Sequence, residues 1–339
     1  MELLKYILII PITIFIVNYF LNKNKLLQSL TGDNHQLFVE KKNIPLSGGL
    51  LIFIFSIFFF NTRSEYLYFF LIFFIGLMSD LKYLKSAKIR FILQVISISF
   101  LVVKFDLSIN DLKIDYLNLL LDYKIFSYVF FIFCILIVTN GTNFIDGLNG
   151  LVIGYYSIIL VILFYLGLID QITDTRQIIF NYLILFIFLF LFNLFNQLYL
   201  GDSGSYLIGF VFGALLILVY KNFSYFSPFF VVLLLWYPCF ENLFSIIRKY
   251  RFNLSPLRAD NKHLHHLLFY FIKKKFDISS IFANNSASIL INLVNVIFII
   301  TGANFIYSSL IQIILILVLI TIYSLSYLIL FNFRYKKIT

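Results

Sequence analysis

Four short side chains with oxygen donors, Asn140, Asn143, Asp146 and Asn149, recur every three residues in NGTNFIDGLNG, a segment that also holds three glycines. On a helical or near-helical turn residues three apart share a face, so these amide and carboxylate oxygens converge. No Lys or Arg falls within the segment. Polar groups left unsatisfied near a membrane are costly, which makes simple packing a poor account of four of them between two apolar runs. Oxygen donors of this kind suit Mg²⁺, a hard cation that keeps waters and bridges substrate phosphates, better than Zn²⁺.

Four further clusters carry polar residues at the edges of apolar runs. KKNIPLSGG, with Lys42, ends on paired glycines at the mouth of a span, where either a helix or a ligand can approach closely. In GLMSDLKYLKSAKIR, Asp80 is surrounded by Lys82, Lys85, Lys88 and Arg90. That set reads either as solvated membrane-edge charge or as a general base and anion organiser beside a phosphate. NLFNQLYLGDSGSYLIG places Asp202 between glycines at the start of a span, with Asn193 upstream. A helix N-terminus there favours Asp as a cap and also binds phosphate. SPLRADNKHLHHLL holds His263, His265 and His266, three of the four histidines, with Arg258 and Lys262 nearby. Without paired Cys or an HExxH pattern, an anion-binding loop is a better reading than zinc.

Apolar helices must position these clusters. Of 339 residues, 61% are hydrophobic and 12% charged, whereas a soluble domain has about a quarter of its residues charged. The apolar content excludes disorder and points to an all-α, polytopic membrane bundle, a single unit over residues 1–339. Apolar stretches at 3–21, 46–60, 66–78, 89–103, 125–138, 151–169, 178–192, 206–220, 226–240, 287–306 and 311–330 predict about eleven transmembrane helices. The first run is too long for a signal h-region and is expected to persist as a span. Cys134 and Cys239 sit inside apolar runs and read as buried packing residues.

Placing the N-terminus outside puts 19 of the 26 Lys and Arg on one side, in the C-terminal tail and in loops within 22–47, 79–88, 139–150, 193–205 and 245–286 or at their margins. The positive-inside rule makes that side cytoplasmic, including the C-terminus. All five polar clusters then share the cytoplasmic face. The segment 104–124 on the other face predicts a small hairpin or surface helix. A net charge of +10 suggests nucleic acid only where it forms a basic face, and here it is dispersed over separate loops. The residues imply Mg²⁺-assisted chemistry on a phosphorylated soluble substrate with a lipid acceptor.

In this order, the clusters resemble those of the polyprenyl-phosphate N-acetylhexosamine-1-phosphate transferases, over about residues 45–268. The resemblance implies transfer of a sugar 1-phosphate from a UDP-N-acetylhexosamine to undecaprenyl phosphate, with release of UMP and use of Mg²⁺ or Mn²⁺. It further implies that Asn143 and Asp202 ligate the metal, that Asp80 is catalytic, and that Lys42, Lys88 and Arg90 hold lipid phosphate or diphosphate. Asn140, Asp146, Asn149, Asn193, His263, His265 and His266 would contact the nucleotide sugar. Pro238 and Glu241 approximate a Pro and an Asp of the family. HLHH after SPLRAD is similar to the branch that starts O-antigen, enterobacterial-antigen or teichoic-acid linkage units in the bacterial inner membrane.

The muramoyl-pentapeptide branch is the alternative within the class, and a multi-span transporter is the alternative outside it. A transporter expects midplane polar groups and internal repeats. The sequence is compatible with a homodimer. Three departures stand out: Ser79 replaces the first Asp of a pair, Asn149 replaces the second Asp of DGxDG, and the spacing from Asn193 to Asp202 is one residue short. The Ser79 change leaves three options: Asp80 suffices, the ionised lipid phosphate attacks without a base, or the protein is inactive.

Overall fold

The computed structural model describes residues 2–29, 44–59, 66–109, 111–168, 176–251, 253, 255 and 261–335. In chain order its helices are α1 (Glu2–Lys23), α2 (Gly48–Phe59), α3 (Tyr66–Asp80), α4 (Ala87–Lys104), α5 (Asp115–Leu121), α6 (Lys124–Ile145) and α7 (Leu151–Tyr165). They continue as α8 (Arg176–Leu194), α9 (Gly201–Asn222), α10 (Pro228–Arg251), α11 (Leu264–Phe276), α12 (Ser280–Asn304) and α13 (Ser309–Tyr335). Among the described residues there is no strand, only an isolated bridge between Gln28 and Pro45.

The eleven apolar runs correspond to every helix except α5 and α11. Seven helices, α1, α6, α8, α9, α10, α12 and α13, are long and apolar enough to cross a membrane. Of the about eleven transmembrane helices expected, these seven meet the length and composition needed. The 12 residues of α2 rise only about 18 Å at ~1.5 Å each, against a hydrocarbon core of about 30 Å. α3 and α7, of 15 residues each, are also short, and α4 carries Lys88, Arg90 and Lys104. The chain is a multi-pass membrane protein in which these shorter helices pack among the long ones. α5 supplies the surface helix expected within 104–124, whereas α11 lies in a segment read as a loop.

α9 is the hub, buried nearly throughout from Ser203 to Tyr220, with α6, α3 and α2 packed against it. Residues 45–49 run beside the chain entering α9, with Gly48 N–H on Tyr199 O (3.0 Å), Gly49 N–H on Leu200 O (3.1 Å) and Tyr199 N–H on Pro45 O (2.9 Å). A Cβ at Gly49 would lie 2.3 Å from Gly204 N, and one at Gly76 2.4 Å from Ser203 Cα. The paired glycines thus admit a helix.

Pro238 lies inside α10 and cannot bond the carbonyl four residues earlier. The buried Tyr155 hydroxyl donates to that carbonyl, Leu234 O, at 2.8 Å. On α12, read from sequence as apolar from Ala287, Asn284, Ser288, Asn292 and Asn295 are buried; Asn284 and Asn292 bond α7 and its preceding loop, whereas Asn295 accepts from Trp236 of α10 at 2.7 Å. Cys134 and Cys239 are free and half-buried rather than fully enclosed.

Candidate active site

Asp202 stands in the first turn of α9 with its carboxylate shared by residues of three other helices, α3, α4 and α6. Asn143 of α6 donates its amide to Oδ1 at 2.8 Å and to Ser205 Oγ at 2.9 Å. On the other oxygen, the Ser79 hydroxyl donates to Oδ2 at 2.5 Å, and Arg90 of α4 forms an ion pair with it at 2.8 Å while also donating to Ser79. α3, α4, α6 and α9 therefore meet at one carboxylate. Ser79, where the family pattern has Asp, is a neutral bridge between Arg90 and Asp202.

Asp80, the neighbour of Ser79, accepts the backbone N–H groups of Asp202 (2.8 Å) and Ser203 (3.0 Å), one on each carboxylate oxygen. The expected role of this residue in proton transfer is set against a geometry in which both oxygens are committed to a helix end.

Asp146 follows the end of α6, its N–H on Asn143 O at 3.3 Å. Loss of solvent, then the Asp202 and Asp80 carboxylates, pushes its carboxyl well above the ordinary Asp value. The next residue brings the NGTNFIDGLNG segment to the histidine cluster: a Cβ at Gly147 would lie 2.5 Å from His265 Nε2 and 2.7 Å from His266 Cε1. His263 Nδ1 is 2.9 Å from Glu241 Oε1, Tyr323 of α13 donates to Oε2 at 2.8 Å, and the His263 ring lies 5.6 Å from Phe144. His265 is fully buried and, among the described residues, neither of its ring nitrogens has a partner. Burial, reinforced by His266 and His263, holds its pKa well below the usual imidazole value, so the ring is neutral, with one donor and one acceptor unused.

Other candidates serve the scaffold. Asn193 donates to Leu198 O (2.8 Å) and accepts the Gly150 N–H, while Asn149 donates to Asn196 Oδ1 (2.8 Å) and its N–H reaches Asn284 Oδ1 (2.8 Å). Both side chains are buried. Both amides brace the 146–150 loop and the turn that follows α8. Asn140 bonds Gln94 Oε1 and Leu136 O, each at 3.0 Å. Lys88 is exposed on α4 while Arg90, two residues on and on another face, reaches Asp202. Lys42 and Arg258 lie outside the described residues.

Sequence reasoning missed the support. Asn284 and Asn292 hold the loop from α12, with Asn292 donating to Gly150 O at 3.1 Å. Their spacing of eight, with Ser288 midway, was the available signal. Lys249, counted only as topological charge, is buried, with Nζ 5.4 Å from the centre of the Phe144 ring.

The donors around Asp202 are carboxylate, amide and hydroxyl oxygens without sulphur, the set that suits a hard divalent cation. Asp80, Asp146 and Asp202 are close enough to repel one another, and Arg90 pairs with one of them. A cation would relieve that repulsion. Among the described residues no group of three or more His, Cys, Asp or Glu could hold a metal by itself.

The model of glycosyl transferase family 4 matches residues 62–220, the stretch that carries Ser79, Asp80, Arg90, Asn143, Asp146 and Asp202. A probable undecaprenyl-phosphate N-acetylglucosaminyl 1-phosphate transferase of Bacillus subtilis (strain 168) is 29% identical over 249 residues, 69% of this chain and 68% of that protein. The undecaprenyl-phosphate alpha-N-acetylglucosaminyl 1-phosphate transferase of Salmonella typhi is 26% identical over 239 residues, covering 66% and 65% of the two chains. A decaprenyl-phosphate N-acetylglucosaminephosphotransferase of Mycolicibacterium smegmatis (strain ATCC 700084 / mc(2)155) is 32% identical over 152 residues, 39% of this chain and 37% of its own length. With its polar clusters gathered at the ends of α3, α6 and α9 and around the His263–His266 turn, the chain is similar to glycosyl transferase family 4 over residues 62–220 and to the first two of these transferases over about two thirds of its length.

Proposed function

We propose that the chain transfers N-acetylglucosamine 1-phosphate, or a closely related N-acetylhexosamine 1-phosphate, from its UDP-sugar to undecaprenyl phosphate at the cytoplasmic face of a bacterial inner membrane. A lipid phosphate oxygen attacks the β-phosphorus, the bond from that phosphorus to the oxygen bridging it to the α-phosphorus breaks, and UMP leaves with that oxygen. The sugar C1–O bond stays intact. The observation that carries this reading is the convergence of Asp202, Asn143, Ser79 and Arg90 beside a loop whose Gly147 touches His265 and His266.

In this reading Asp202 and Asn143 would hold Mg²⁺, or Mn²⁺, with Asp146 adjacent, and the ion would offset diphosphate charge and stabilise the UMP leaving group. Arg90 orients anionic oxygen at the same centre. The unused N–H of His265 donates to a diphosphate oxygen, an interaction that a neutral ring supplies without titrating near pH 7. His263, fixed by Glu241, packs its ring beside that of His265. The lipid phosphate is already ionised at neutral pH, so the nucleophile needs positioning more than deprotonation. Membranes containing the protein should release UMP only when both undecaprenyl phosphate and a UDP-N-acetylhexosamine are present. UMP release independent of the lipid would contradict the reading.

A further inference from the structure

Helix α9 begins without a cap of its own. Its N-cap position is Leu200, which makes no side-chain cap hydrogen bond, and the first-turn Asp202 turns its carboxylate to Asn143, Ser79 and Arg90. Self-capping by Asp202 is one of the two readings the sequence leaves open. The first four N–H groups of a helix lack intrahelical partners and carry partial positive charge. Two of these four, on Asp202 and Ser203, are satisfied by a carboxylate from another helix, Asp80 at the end of α3.

The surrounding backbone is shaped for this contact. Gly201 has φ of 74°, and a Cβ there would sit 2.7 Å from Asp80 Oδ2. One turn earlier on α3, Gly76 lets the helix rest on the backbone of Ser203.

We infer that Asp80 is a positioning residue: it caps α9 from α3, and by taking over the cap it frees the Asp202 carboxylate and fixes its place between α3, α4 and α6. This deepens the proposed transferase reading and rests on it for its effect on turnover. A proton-transfer role predicts that Asp80→Asn and Asp80→Ala are equally damaging and that both change the pH profile. A capping role predicts a graded loss, because the Asn amide oxygen still accepts one of the two N–H groups.

The test joins hydrogen exchange of the peptide covering residues 201–206 in the purified full-length protein with UMP release across pH. The expected result has three parts. Exchange at the Asp202 and Ser203 amides quickens at least about tenfold in Asp80→Ala and less in Asp80→Asn. Turnover follows the same order, with Asp80→Asn retaining at least ten times the Asp80→Ala rate. The pH profile of Asp80→Asn superposes on that of the unaltered protein. Unchanged exchange in both variants overturns the inference, and that outcome is readable even where no UMP-releasing activity is found. Equal losses in the two variants, a shifted pH profile, or faster exchange with full turnover also overturn it.

Discussion

Asp202 is where the reading is most exposed to single substitutions. Its carboxylate charge is what a divalent cation would need, and an amide of the same shape cannot supply it. Asp202→Asn should therefore lose UMP release by at least a hundredfold while the protein remains folded, as judged by its elution and melting in detergent. Retained turnover would remove Asp202 from the metal assignment. Asp146 makes a different prediction. Its pKa rises on folding, so its contribution to stability is present below the free-Asp value of about 3.9 and is lost as pH rises from there through the raised value. In excess chelator, melting of the unaltered protein should fall as pH rises above the free-Asp value, and Asp146→Asn should flatten that slope. An unchanged slope in the variant would place the pH dependence elsewhere.

At the level of elements, the site depends on how closely α3 approaches α9. Gly76→Ala would put a methyl carbon 2.4 Å from Ser203 Cα. Backbone cannot yield as a flexible side chain can, so the helices must part, at a cost of about 1 to 3 kcal/mol. The variant should melt lower and lose turnover together, and a variant with intact melting and turnover would mean the junction tolerates separation. The apolar runs made the long helices legible because a buried or lipid-facing helix leaves a continuous signature in composition. The polar clusters were legible too, since Asn143, Asp146, Asp202 and the three histidines are conspicuous against 61% hydrophobic residues. What local reading could not supply was the division between ligand-facing and bracing amides. Asn143 and Asn149 lie six residues apart on the same motif, yet one reaches Asp202 and the other Asn196. That choice is made by α12 and by the 193–198 turn, which are distant in sequence. Likewise, nothing local to Asp202 decided between capping and ligand binding, because the residue that caps the helix, Asp80, is distant in sequence.

For the whole molecule, the gathering of the described clusters at one end of the bundle gives the charge distribution a functional meaning. If basic loops mark the cytoplasmic side, the site opens where soluble UDP-sugars are found. A cysteine introduced at the exposed Lys274 of α11 should escape an impermeant thiol reagent in intact cells and react once they are opened. Labelling in intact cells would reverse the topology. The central claim, that a phosphorylated sugar moves rather than the sugar alone, is tested most directly with UDP-N-acetylglucosamine carrying a radioactive β-phosphorus. Incubated with the protein, undecaprenyl phosphate and Mg²⁺, the label should pass into the organic-phase lipid while the released nucleotide is unlabelled UMP. Label released as UDP, with sugar but no radioactivity on the lipid, would contradict the account.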